Sequence, residues 1–227
     1  MPEPMISLLH PTVRTNAWKD AADQWLRRCD HPEFVEYVLV PERANFANLN
    51  LNVPFANKVV EYNQYAATTV GGSNYAAAIS HGKVLILAAD DFFPAPHWDT
   101  SILDLLRGKL DQEAVVWVGT GIQSFDNPDD GGGFMSFPIM TRAYYKRKGY
   151  MFWPEYTSYY ADADFTRTAQ ADKAVEVIDA RNIVQFKHVR GGLRGHYVND
   201  AHYLKHGKNA DFSGNLYSQR QAAGFPI

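Results

Sequence analysis

In "VLILAADDFF", two aspartates, Asp90 and Asp91, close the apolar run Val84 to Ala89 and precede Phe92 and Phe93. Adjacent carboxylates repel one another and resist desolvation, so such a pair at the end of a buried strand calls for a cation, a donor or open water. On extended backbone, neighbouring side chains point to opposite sides. The two carboxylates are therefore expected to do different work, one on a cation and one on a hydroxyl or backbone group. Magnesium or manganese suits the first, because hard cations take a few carboxylate oxygens and complete their shell with water and substrate phosphate. The plainer alternative is a solvated loop start, since acidic residues after strands are common turn chemistry.

A second acidic stretch, "YYADADFTRTA" (159–169), carries Asp162 and Asp164 at the start of a helical pattern that continues through Phe165 and Ala169. Asp162 is placed to cap that helix. Further on, His188, His196, His202 and His206 share a short stretch with Lys187, Arg190, Arg194, Lys205 and Lys208. The histidine spacings match no compact zinc motif. Eight aromatic residues between Tyr144 and Tyr160 serve either core and rim packing or the lining of a ligand groove.

Positioning these groups falls to an alternation of strands and helices. Residues 5–9 read as a strand, and Trp18, Ala21, Ala22, Trp25, Leu26 and Cys29 recur at helical spacing behind Asn16. Strands are expected at 34–40, 58–62, 83–89 and 114–119. "GGSNYAAAISH" reads as a glycine turn, a Ser73 or Asn74 cap and a short helix, and "WDTSILDLLRGK" as a helix capped by Asp99 or Thr100. This order argues for a mostly parallel sheet covered by helices on both faces. After residue 125 the pattern becomes irregular. A turn-rich loop (126–134) and an aromatic stretch (142–160) precede a helix near 162–170 and two short strands near 174–187.

The 227 residues, 46% hydrophobic, suffice for one large domain, or one with a small appendage. A net charge of −3 provides no basic field for nucleic acid or an anionic membrane. The single cysteine, Cys29, excludes an intramolecular disulfide framework and fits a reducing compartment. "MPEPMISLLHPTVR" lacks the features of a signal peptide, and no run of about 18 apolar residues offers an integral membrane segment. These features lead us to expect a cytoplasmic protein.

The ordered set "SLLHPTVR", "GGSNYAAAISHGKVLILAADDFFPAPHWD", "GGGFMSFPIMTRAYYKRKGY" and "YYADADFTRTA" resembles family 2-like glycosyltransferases of the GT-A fold over roughly residues 5–170. The resemblance implies an α/β, Rossmann-type, mostly parallel central sheet with an irregular C-terminal acceptor region. Residues 1–125 would form the nucleotide-sugar-binding half and 126–227 the acceptor-binding and C-terminal part of the same domain. It further implies transfer of a sugar from a nucleotide-diphosphate donor to a glycan, lipid-linked or protein acceptor, with Mg2+ or Mn2+.

On this resemblance Pro11, Thr12, Arg14, Gly72, Asn74 and Asp90 would hold the nucleotide sugar, and Asp91 the metal, joined by His188, with His196 second. Asp162 would take the acceptor proton as general base, with Asp164 the alternative. The sequence departs from the family in two places. The usual aspartate after the second strand is missing from "VLVPERAN", leaving Glu42 as the nearest carboxylate, and Ala89 stands where the metal motif would begin. These departures keep a binding-only, transferase-like module open as a rival, alongside a nucleotidyltransferase. Against the latter, "HPTVRTNAW" lacks the glycine of a phosphate loop.

Overall fold

The computed structural model describes residues 2–15, 17–46, 51–122, 126, 133–189 and 210–227. The strands are β1 (Ile6–Thr12), β2 (Val35–Pro41), β3 (Lys58–Val60), β4 (Val84–Leu87), β5 (Phe92–Phe93), β6 (Ala114–Gly119), β7 (Ile139–Thr141), β8 (Glu176–Gln185) and β9 (Lys187–His188). The α-helices are α1 (Ala17–Arg27), α2 (Arg43–Phe46), α3 (Thr69–Ile79), α4 (Trp98–Leu105), α5 (Arg142–Lys148), α6 (Ala161–Ala171) and α7 (Ala210–Ala222). Among them no helix is long and apolar enough to cross a membrane. Asn16, expected as a cap, lies outside the described residues.

Seven strands form one sheet in the order β3-β2-β1-β4-β7-β6-β8, and β7 alone runs antiparallel to its neighbours. Residues on both sides of position 125 contribute to it. Every residue of β2, β4 and β6 is buried. Such strands read as continuous apolar runs because both faces are covered. Strand alternation splits the core in two. Leu8, Val84 and Ile86 pack with Trp18 and Trp25 of α1 and Trp98 of α4. Leu9, Leu85 and Leu87 pack with Ala76 of α3, Tyr144 of α5 and Phe165 of α6.

The strand order reverses at β1, which pairs with β2 on one side and β4 on the other. In open α/β sheets such a switch point opens a crevice beyond the carboxyl ends of the two strands. "HPTVR" and "ADD" both end there.

Several local expectations need correction. The glycine pair is no turn: Thr68 caps α3 by accepting a hydrogen bond from the Gly71 N–H at 2.9 Å, which puts both glycines inside the helix. They permit close packing, because a Cβ at Gly71 would stand 2.1 Å from the Ala66 carbonyl oxygen and one at Gly72 2.9 Å from the Pro11 Cβ. Neither Asp99 nor Thr100 caps α4, which starts behind His97 in left-handed backbone (φ 60). The Asp99 carboxylate instead accepts from the N–H groups of Asp30 and His31, at 2.9 and 2.8 Å, tying the chain after α1 to α4. Residues 142–148 are helical, capped by the Thr141 hydroxyl and ended by Gly149 at φ 78. The two short strands expected near 174–187 are one ten-residue strand, β8, whose register against β6 shifts after Val118, followed by the short β9.

Candidate active site

The last residues of β1 and those just after it alternate: His10, Thr12 and Arg14 leave the chain on one side and converge on Asp90. The Thr12 hydroxyl donates to both Asp90 oxygens at 2.9 and 3.1 Å. Arg14 Nη1 lies 3.3 Å from Asp90 Oδ2, and His10 Nε2 lies 3.1 Å from Oδ1. Asp90 is thus a buried carboxylate held by a hydroxyl, a guanidinium and an imidazole.

Asp91 turns the other way. The two-stranded ladder of β5 and β9 pairs Phe92 with His188, and the Val189 N–H donates to the Asp91 carbonyl at 2.8 Å. This ladder brings His188 Nε2 to 3.5 Å from Asp91 Oδ1. A carboxylate oxygen beside an imidazole nitrogen fits a divalent cation such as Mn2+ or Mg2+. Among the described residues no group of three or more His, Cys, Asp or Glu side chains gathers in a metal-holding arrangement. The described residues would therefore contribute two groups, Asp91 and His188, with water and phosphate oxygens completing the shell. His196 lies outside the described residues.

Both aspartates line a cavity of about 780 Å³ at the switch point. Pro11, Thr12, Arg14, Glu42, Gly72 and His188 share its wall, and Asp162 faces it from the first turn of α6. That volume is in the range of small-molecule sites. The Glu42 carboxylate accepts a hydrogen bond from Asn63 Nδ2 at 2.6 Å, and its backbone N–H donates to the Thr12 carbonyl at 3.0 Å, which ties the end of β2 to the end of β1.

Asp162 does not cap α6. Tyr160 holds that position, in left-handed backbone at φ 67. Asp162 is half-buried and accepts from the Ala163 N–H at 2.9 Å. Desolvation pushes its carboxyl up to about 6, opposed by backbone N–H groups.

Two expected site residues do not reach the cavity wall. Asn74 is committed to backbone: its Oδ1 accepts from the N–H groups of Met151 and Phe152 at 3.0 and 2.9 Å, and its Nδ2 donates to the Phe152 carbonyl at 2.9 Å. It shapes the loop that leads to Thr157–Asp162. The Asp164 carboxylate accepts from Arg220 Nε at 2.5 Å and from the Tyr156 hydroxyl at 3.2 Å, fastening α7 to α6. The aromatic stretch divides between core and surface, with Phe152 buried and Tyr159 and Tyr160 exposed. Tyr144 and Tyr156 are buried, and Lys148 sits against the rings of Tyr144, Tyr150 and Phe165, where burial lowers its ammonium to about 7. From that stretch Phe152 and Tyr159 line the cavity.

Sequence reasoning passed over His10, Asn63, Ser136 and Phe137. His10 carried a visible signal, an imidazole directly after the apolar pair Leu8–Leu9 of a buried strand. Phe137 carried none, since its place against Phe92, 3.6 Å between ring centroids, depends on β7 joining the sheet.

The sheet order and the crevice beyond β1 and β4 define a GT-A-like α/β fold, the architecture of glycosyltransferases. No protein-family model and no curated protein sequence matches the chain. Among solved structures it is similar to residues 1–349 of S. aureus TarS, with TM-score 0.60 and 14% identity over 82% of this chain and 60% of that one. It is also similar to the mannosyltransferase PcManGT from Pyrobaculum calidifontis, solved with GDP-Man and Mn2+, with TM-score 0.60 and 12% identity over 83% of this chain and 58% of that one. The TarS structure with UDP-GlcNAc gives TM-score 0.56 and 15% identity over 84% and 60%. The chain thus spans about three fifths of the structures it resembles, and at these identities the likeness is one of fold.

Proposed function

We propose that this chain is a metal-assisted glycosyltransferase that moves a sugar from a nucleoside diphosphate to an acceptor hydroxyl. The observation that carries this reading is the convergence on one cavity of Arg14, Asp91 and His188 from the sheet side and Asp162 from α6. The nucleotide-sugar and Mn2+ complexes of the structural neighbours support the same class of donor and cofactor.

In this reading the nucleotide lies between the Pro11–Arg14 segment and Glu42. Glu42 accepts from base or ribose, and Arg14 and Thr12 meet phosphate or ribose oxygens. Gly72 lets α3 pack closely against Pro11 at the cavity wall, and Asp90 keeps Thr12 and Arg14 in place. Asp91 and His188 would hold a divalent cation, whose charge would offset that of the leaving diphosphate. Asp162 accepts the acceptor's proton as that oxygen bonds to the anomeric carbon. The bond from that carbon to the phosphate oxygen breaks, and the diphosphate leaves with the electron pair. A single displacement of this kind inverts the anomeric centre. A carboxyl raised to about 6 suits the task, being mostly ionised near pH 7 yet more basic than an ordinary aspartate. Glycan, lipid-linked and protein acceptors all present the required hydroxyl.

The test is diphosphate release from UDP-GlcNAc, UDP-glucose and GDP-mannose with Mn2+ and an acceptor panel, comparing the natural chain with Asp162→Asn. Release by the natural chain, lost in the variant, is the expected result. Binding without release from any donor would replace this reading with a binding-only module.

A further inference from the structure

His10 is completely buried, in a strand whose neighbours Leu8 and Leu9 are core residues. An apolar side chain would fill that place without the cost of desolvating two ring nitrogens, so the imidazole's contribution is directional. Its Nδ1 meets the Tyr37 hydroxyl and its Nε2 meets Asp90 Oδ1 at 3.1 Å. Of the two neutral tautomers one satisfies both contacts: the Tyr37 O–H donates to Nδ1, and Nε2–H donates to the carboxylate. Tyr37 is itself fixed by stacking on Phe55, ring centroids 4.8 Å apart. A continuous chain of packed and hydrogen-bonded groups, Phe55, Tyr37, His10 and Asp90, therefore runs from the core on β2 to the cavity wall.

We infer that His10 is a positioning residue of the donor site. By holding Oδ1 of Asp90 it fixes the carboxylate plane, so that Oδ2 receives the Arg14 guanidinium, and this sets where that cation meets a diphosphate. The functional consequence rests on the donor reading above, whereas the positioning contact can be tested without it. The partner groups of His10 come from three segments: Tyr37 on β2, Asp90 after β4, and through Asp90 the Thr12–Arg14 end of β1.

Glutamine and asparagine separate the two ends of the imidazole, because a glutamine amide nitrogen reproduces the donor at Nε2, whereas the shorter asparagine amide reaches only the place of Nδ1, where its oxygen can accept from Tyr37. Titration with UDP and GDP in Mn2+ is expected to show a ten- to hundredfold weaker Kd for His10→Asn, as when a ligand-orienting partner is removed. His10→Gln should stay within about threefold of the natural chain, and melting midpoints check that both variants fold. Equal losses in both variants, or no loss in His10→Asn, would overturn the positioning role. A second readout uses the protein without nucleotide. In 15N-histidine spectra His10 should give a slowly exchanging Nε2–H signal that persists in Asp91→Ala and vanishes in Asp90→Ala. If neither nucleotide binds the natural chain, the donor reading fails while these spectra still decide the contact, and absence of the Nε2–H signal overturns it.

Discussion

Asp90 and Asp91 stand on the strand side of the cavity and Asp162 and Asp164 on the helix side, and the two pairs divide their work in different ways. At the end of β4 the residues are adjacent, so both reach the cavity wall while facing opposite partners: Asp90 meets Thr12, Arg14 and His10, and Asp91 meets His188. On α6 the two carboxylates are two residues apart, about 200° around the helix. One therefore faces the cavity, and the other turns inward to Arg220. Backbone periodicity thus decides which acid is presented and which is bound into structure. The inward acid has a guanidinium against it, whereas Asp162 has backbone N–H groups, and desolvation raises its pKa.

The largest effect should come from breaking this division at its presented member on the helix. Asp162→Asn is expected to lower turnover by about 10²–10⁴-fold with nucleotide affinity unchanged within about twofold, read from initial rates and calorimetry. Asp164→Ala attacks the inward member instead. It leaves the Arg220 charge buried and uncompensated, a loss of about 3–5 kcal/mol, and should lower the melting midpoint by roughly 10 °C. On the strand side, His188→Ala should weaken Mn2+-dependent nucleotide binding about tenfold and leave metal-free binding unaltered, which paired titrations will show.

The smallest effect follows from the raised pKa of Asp162. The folded chain binds the Asp162 proton more tightly than the unfolded one, with the group raised from 3.8 to about 6. That preference favours the folded state below the lower value and is lost as pH rises through the upper one. Asp162→Asn should therefore melt about 2–4 °C higher than the natural chain at pH 8, and the gap should close at pH 4. Turnover of the natural chain should rise through pH 6 as the base ionises.

Much of the fold was legible because buried parallel strands are written as apolar runs. "VLILAA" and "AVVWVG" could hardly be anything else, and the positions of Trp18 and Trp25 reveal the face of α1. The acidic pair at the switch point was legible for the same reason, since a strand end can be located from its run. That Asn74 and Asp164 lie off the cavity wall was not legible, because their partners, the Met151–Phe152 backbone and Arg220, are distant in sequence. The start of α3 was misplaced because its glycines serve packing against Ala66 and Pro11, a tertiary demand with the same local signature as a turn. β7 contributes only three residues to the sheet. A strand that short has no periodicity to read, and Ser136 and Phe137 were missed along with it.

The most direct test of the central claim is calorimetric titration with UDP, GDP, dTDP and CMP, each with and without Mn2+, on the natural chain and on Asp91→Ala. One nucleoside diphosphate is expected to bind in a Mn2+-dependent manner, and the substitution to abolish the metal-dependent part. No binding of any nucleotide under either condition, or binding indifferent to both Mn2+ and Asp91, would contradict that claim.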